Sequence, residues 1–197
     1  MKYLLLVIIM LSVTSPYYAG DATAGKNKSA LCSTCHGAEG ISLTPLWPNL
    51  AGQHATYTAK QLTEFRDGKR QAPAMAPMAA NLSDQDIADL AAYYATLAKP
   101  APEGVDEKFV ALGGSIYNRG AEGIMACTAC HGPNGEGIDA AGFPKITGQK
   151  IEYTIKTLND FRSGYRNNDM NGMMRDLAKA MTDEQIEAVA NYLSGLH

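Results

Sequence analysis

Apolar residues recur along this chain at helical spacing and nowhere alternate as a strand would require. Ile87, Leu90, Ala91, Tyr94 and Leu97 form one stripe, and Ile186, Val189, Ala190 and Leu193 form a second. Each stripe follows a good N-cap residue, Ser83 or Thr182, and Thr182 with Gln185 makes a capping box. Two further helices are predicted over residues 56–67 and 152–163, with Gly68 and Gly164 placed where a helix C-terminus favours glycine. A first helix is expected from about Ala22 in one half and Glu107 in the other, running on to the cysteines of each half. The predicted class is all-α.

The pattern is a repeat. Trp47-Pro48-Asn49-Leu50-Ala51-Gly52-Gln53 aligns with Phe143-Pro144-Lys145-Ile146-Thr147-Gly148-Gln149 at an offset of 96, as do Tyr57 with Tyr153, Phe65-Arg66 with Phe161-Arg162, and Arg70 with Arg166. Past an insertion the offset becomes 99, pairing Leu82-Ser83-Asp84 with Met181-Thr182-Asp183 and Tyr93 with Tyr192. Lys99-Pro100-Ala101-Pro102-Glu103-Gly104 reads as a linker by composition. The expected organisation is a signal peptide over 1–19, a first domain over 20–99, a linker over 100–106 and a second domain over 107–197.

The signal peptide rests on Lys2, an apolar stretch over residues 4–13, Pro16 and the small pair Ala19-Gly20. That stretch is too short to span a bilayer, which takes about 20 residues. Tyr17 is untypical three residues before such a cut, which leaves an uncleaved anchor as the alternative. Cleavage near Ala19-Gly20 would deliver the protein to the periplasm. Charge adds little: with 17 Lys and Arg against 20 Asp and Glu and no basic block, nucleic acid is not an expected partner. Residues 20–99 are balanced at seven against seven, whereas 100–197 carry nine basic and 13 acidic residues, an asymmetry that could orient a docking partner.

All four cysteines of the chain fall in two copies of one motif, Cys32-Ser33-Thr34-Cys35-His36 and Cys127-Thr128-Ala129-Cys130-His131. C-x-x-C-H is the attachment signature of c-type haem. Two thiols three residues apart on a helical turn face the same way, so each can add to one vinyl group of a single porphyrin, and the histidine that follows lies under the iron. A zinc knuckle, a redox pair or a disulfide would account for one C-x-x-C, but none gives both histidines a reason to recur. Two covalently bound haem c groups are therefore expected, held by Cys32, Cys35, Cys127 and Cys130, with His36 and His131 as proximal iron ligands. A domain of some 80 to 95 residues often needs such a staple.

The opposite iron position calls for a second ligand, and each half offers methionines between its last two helices. Met75 lies eight residues before Ser83 and Met174 eight before Thr182, whereas Met78 aligns with Leu177, and Met170 and Met173 with Gln71 and Ala74. The repeat selects Met75 and Met174, with Met78 and Met173 as alternatives. His54 and His197 do not recur and read as surface residues. A ligating imidazole donates its other N–H to a fixed acceptor. The carbonyls of Pro48 and Pro144, 12 and 13 residues after His36 and His131, are candidates for that acceptor.

These residues resemble the cytochrome c4 family over nearly the whole mature chain. The two C-x-x-C-H motifs carry the likeness, as do Ala141-Gly142-Phe143-Pro144-Lys145, the run over residues 57–66, Leu82-Ser83-Asp84-Gln85-Asp86 and Ser194-Gly195-Leu196-His197. The resemblance implies two tandem cytochrome c-like domains, each wrapped around one covalently bound haem. It implies His36 with Met75 and His131 with Met174 as axial pairs, and haem propionates that face each other across a pseudo-twofold axis. It also implies a carrier that shuttles electrons from a cytochrome bc complex to a haem-copper oxidase, and the chain is expected to be a monomer or weak dimer with at most a loose association with the membrane. The methionine segment Ala72-Pro73-Ala74-Met75-Ala76-Pro77-Met78 is richer in proline than that family's usual pattern. A dihaem subunit of a periplasmic dehydrogenase, such as a sulfide-oxidising flavocytochrome, is the alternative reading. A dihaem peroxidase or a gas sensor would each need an iron with an open position.

Overall fold

The computed structural model describes residues 19–102 and 105–196. The expected signal peptide lies outside the described residues except for Ala19, as do His197 and two residues of the linker. The first half contains α1 (Ala22–Lys28), α2 (Ala30–His36), α3 (Ala55–Arg66), α4 (Ala76–Ala79) and α5 (Asp84–Thr96). The second contains α6 (Glu107–Arg119), α7 (Thr128–His131), α8 (Ile151–Ser163), α9 (Met173–Lys179) and α10 (Asp183–Gly195), with short 3-10 turns at Asp139–Ala141 and Met170–Gly172. Among the described residues the only β-type pairings are two isolated bridges, Ala121 with Ile124 and Ile138 with Phe143.

The last helix organises each half. α5 is started by a capping box in which Ser83 accepts from the Asp86 amide while Asp86 accepts from that of Ser83, and Thr182 with Gln185 starts α10 in the same way. α1 crosses α5, and α6 crosses α10, at a glycine. A Cβ on Gly25 would stand 2.0 Å from the Asp89 carbonyl oxygen, and one on Gly113 2.1 Å from that of Ala188. Those crossings bring backbone against backbone, which no larger residue permits. α3 packs on α5, and α8 packs on α10 and α9. The second core is the larger, built on Ile116, Tyr117, Ile124, Leu158, Met181, Ile186, Val189 and Leu193, while the first rests on Leu90, Tyr93 and Tyr94.

The expected single helix into each cysteine motif is interrupted in both halves. α1 ends at Ser29, whose amide bonds back to the Lys26 carbonyl, before α2 begins. α6 stops at Gly120, with φ of 76° and no room for a Cβ against the Ile124 carbonyl, and a tight turn over 121–124 precedes α7. The short α4 and α9 were not expected. They occupy the methionine segments and bury Ala79 and its repeat counterpart Ala178 completely.

The two crossings differ in chemistry. At α1–α5 the buried Asp89 accepts from the Asp21 amide, Lys28 and Gln85, and Lys28 also pairs with Asp86 at 2.6 Å. These donors hold the Asp86 and Asp89 carboxyls at about 2, below the ordinary 3.8. Because the folded value is the lower one, the stabilisation is complete above pH 4 and is lost as pH falls from 4 towards 2. Asp89→Asn should therefore lower the melting temperature at neutral pH, and its deficit relative to the native chain should shrink to nothing on acidification through that range. A deficit unchanged by pH would refute this assignment. The repeat places apolar Ala188 opposite Gly113 where Asp89 meets Gly25, so the second half lacks this acid sensitivity.

Candidate haem sites and the interface between the halves

α2 carries Cys32, Cys35 and His36 on adjacent turns, and α7, with Cys127 as its N-cap, carries Cys130 and His131. Cys32 packs on the Leu90–Tyr93–Tyr94 core, and Cys127 on the core of the second half. No disulfide joins any of the four cysteines. Burial raises the Cys32 thiol above its ordinary value and pushes that of Cys127 up to about 11, the mark of sulfur atoms set in apolar surroundings. Among the described residues no three His, Cys, Asp or Glu side chains come together as a metal cluster, so the two cysteine pairs do not converge on one ion.

His36 and His131 are 5% and 8% exposed. Each places Nδ1 2.9 Å from a carbonyl oxygen, of Pro48 and Pro144 respectively, the two acceptors predicted from spacing. A carbonyl cannot donate, so the proton sits on Nδ1 and the lone pair on Nε2. Burial lowers both imidazoles by more than the carbonyls raise them, which keeps the rings neutral. A buried, neutral, oriented imidazole of this kind suits an axial position on iron. The loop that presents each proline is closed by one backbone oxygen: Gly40 accepts from Leu50 and Ala51, and Gly135 from Ile146 and Thr147. The Tyr94 hydroxyl is buried against Cys32, which places the first cysteine of the motif at the edge of the core of its half. The residues present thus fit a haem in each half.

The methionines sort by exposure. Met78, Met170 and Met173 are 44%, 46% and 40% exposed, whereas Met75 and Met174 are half-buried. Met75 is the N-cap of α4, and Met174 lies in the first turn of α9 against the same core that Cys127 borders.

Repeat-related side chains join the halves in reciprocal pairs. Gln149 Oε1 accepts from the Asn49 amide at 2.8 Å and its Nε2 donates to the Asn49 carbonyl at 3.1 Å. Gln53 does the same to Lys145, at 3.0 and 2.9 Å. Arg166 donates to the Tyr57 hydroxyl at 2.8 Å and Arg70 to that of Tyr153 at 3.2 Å. Each guanidinium stacks on a phenylalanine of its own half, Arg70 on Phe65 and Arg166 on Phe161. Gln61 Oε1 accepts from both arginines and from Asn168. Burial raises the Tyr153 phenol, but the charges of Arg70 and Arg166 outweigh it and hold the group below its ordinary value.

Sequence reasoning gave these polar residues no role, although for Gln53 with Gln149, Tyr57 with Tyr153 and Arg70 with Arg166 recurrence at one offset was the available signal; Gln61 and Asn168 align with Thr157 and Ala72 and carry none. His54, read as a surface residue, is instead half-buried and reaches across to the Glu136 carbonyl at 2.8 Å, next to the Lys99–Glu136 ion pair. Its partner is a backbone oxygen 82 residues away, which no side-chain pattern marks.

The family model for Cytochrome c matches residues 22–98 and again residues 111–197. Cytochrome c4 of Pseudomonas aeruginosa is 44% identical, over 100% of this chain and 99% of that protein. The crystal structure of reduced recombinant cytochrome c4 from Pseudomonas stutzeri superposes with a TM-score of 0.88 at 41% identity, covering 91% of this chain and all of that one. A thiosulfate dehydrogenase electron acceptor of Stutzerimonas stutzeri is 42% identical over 87% of this chain and 82% of its own length.

Proposed function

Because the chain belongs to the cytochrome c4 family of dihaem electron carriers, we propose that it works in the periplasm, taking electrons from a membrane cytochrome bc complex and passing them to a terminal haem-copper oxidase. The family brings two covalently bound haem c groups. In this reading Cys32 and Cys35 hold one and Cys127 and Cys130 the other, with His36 and Met75, and His131 and Met174, as axial ligands. Bound haem iron supplies the one-electron Fe(III)/Fe(II) change. The protein's part would be to offer each iron an imidazole and a thioether, exclude water and hold each imidazole in one tautomer. Methionine sulfur favours the ferrous state, and burial raises the potential further.

The observation that carries the reading is the buried imidazole with Nδ1 committed to a proline carbonyl, present in both halves. The half-buried Met75 and Met174 among exposed neighbours support the ligand choice. Purified protein should contain two haems per chain by pyridine haemochrome. The ferric form should show the sulfur-to-iron charge-transfer band at two-haem intensity, and carbon monoxide should leave the ferrous spectrum unchanged. A high-spin component that binds carbon monoxide would replace the carrier with a peroxidase or a sensor.

One observation favours a second reading, in which the donor is a periplasmic dehydrogenase: the likeness to the thiosulfate dehydrogenase electron acceptor. Rapid reduction by a thiosulfate-oxidising or sulfide-oxidising dehydrogenase, with slow reduction by a bc complex, would select it.

A further inference from the structure

The amide that orients each proximal histidine is also gripped from the opposite half. Pro48 C=O, which accepts from His36 Nδ1, and Asn49 N–H, which donates to Gln149 Oε1, are the two ends of one peptide group. Pro144 C=O accepts from His131 Nδ1, and Lys145 N–H of that same peptide group donates to Gln53 Oε1. Each histidine is therefore two hydrogen bonds and one amide away from a glutamine of the other half. The bonds are ordinary in length, between 2.8 and 3.0 Å, and the arrangement is crossed, with neither glutamine serving its own histidine.

An amide is one conjugated group. Donation from its N–H shifts electron density onto its oxygen, and hydrogen bonds in such a chain strengthen one another by roughly 10–30% each. A stronger acceptor at Nδ1 makes the imidazole a more basic ligand at Nε2, and a more basic ligand favours Fe(III) over Fe(II). Asn49 is buried, so water cannot replace Gln149 there.

We propose that Gln149 and Gln53 are positioning residues that set the ligand strength of His36 and His131 respectively, so that each half tunes the iron potential of the other. The proposal rests on His36 and His131 being iron ligands, as in the function proposed above. Packing of the two halves thereby becomes a determinant of both potentials, with no residue of either half having to touch the other's haem.

Gln149→Met and Gln53→Met keep side-chain length and remove the acceptor. They would be compared with the native two-haem protein by redox titration and by the His Nδ1–H resonances of the ferrous state, assigned through their contacts to Pro48 and Pro144. Gln149→Met should raise the potential of the iron on His36 and move the His36 Nδ1–H resonance upfield, leaving His131 in place, and Gln53→Met should give the mirror result. Lys60→Ala, which removes a cross-interface bond to the Asn168 carbonyl away from either relay, should move neither resonance. A shift confined to the half that carries the substitution, equal shifts of both haems as simple separation of the halves would give, or no shift would overturn the proposal. Native protein lacking two His-ligated haems would instead refute the functional reading itself, before any variant is made.

Discussion

Met174→Ala should open the iron position opposite His131. The ferric spectrum should gain a high-spin component, the sulfur-to-iron band should fall to the intensity of one haem, and ferrous protein should bind one carbon monoxide per chain. The effect is large because no second thioether is placed to substitute: Met173, at the start of α9, and Met170 are both exposed, and the turn between Met170 and α9 is fixed by its own backbone, with Asn171 at φ of 52° and Gly172 at 75°. Losing the thioether also removes what favours the ferrous state, so the potential of that haem should drop sharply. Met75→Ala should do the same in the first half. Met78→Ala and Met173→Ala should leave the spectrum unchanged, and either of them giving the carbon monoxide adduct would move the ligand assignment to that residue.

Gly113→Ala should destabilise the second half by about 3 kcal/mol or more, at the upper end of overpacking costs. The added methyl would need to occupy space 2.1 Å from the Ala188 carbonyl oxygen, and two helix backbones cannot part without losing the contact of Ile116 and Tyr117 with α10. Gly114→Ala is the matched control. There the nearest atom is the edge of the Tyr192 ring at 3.0 Å, which can swing aside, and alanine's helix propensity returns about 1 kcal/mol. Chemical denaturation of both variants as holoprotein should show a large loss for the first and little change for the second. A loss for Gly113→Ala as small as that for Gly114→Ala would mean that the crossing tolerates a methyl and that glycine there has another cause.

What was legible in the sequence were features written in side chains at fixed spacing. The caps Ser83 and Thr182 start helices because their partners lie three residues on. The proline acceptors could be found because the loop from histidine to proline keeps nearly one length in both halves. Met75 and Met174, which are half-buried where their neighbours are exposed, could be singled out because the last helix supplies a common origin for counting. What was not legible depends on backbone atoms or on distant pairing. The breaks at Ser29 and Gly120 are set by local turns that helical periodicity passes over. α4 hides in an alanine-proline stretch, where Pro77 is tolerated because it falls in the first turn. Gln53 and Gln149 recur plainly, yet their targets are peptide groups of the other half, and nothing in a one-dimensional pattern marks an amide as a target.

The reciprocal pairs across the interface carry one more consequence. Gln53 and Gln149, Tyr57 with Arg166, and Tyr153 with Arg70 are self-complementary in the manner of an isologous dimer, where each contact is made twice with the roles exchanged. The molecule is a dimer whose subunits happen to share one chain, and the linker after Lys99 turns their association into an intramolecular event at an effective concentration on the order of millimolar. A polar interface that two separate subunits would lose on dilution can then stay closed at any protein concentration. The spacing and angle between the two irons become a property of the polypeptide, independent of how much of it the cell makes.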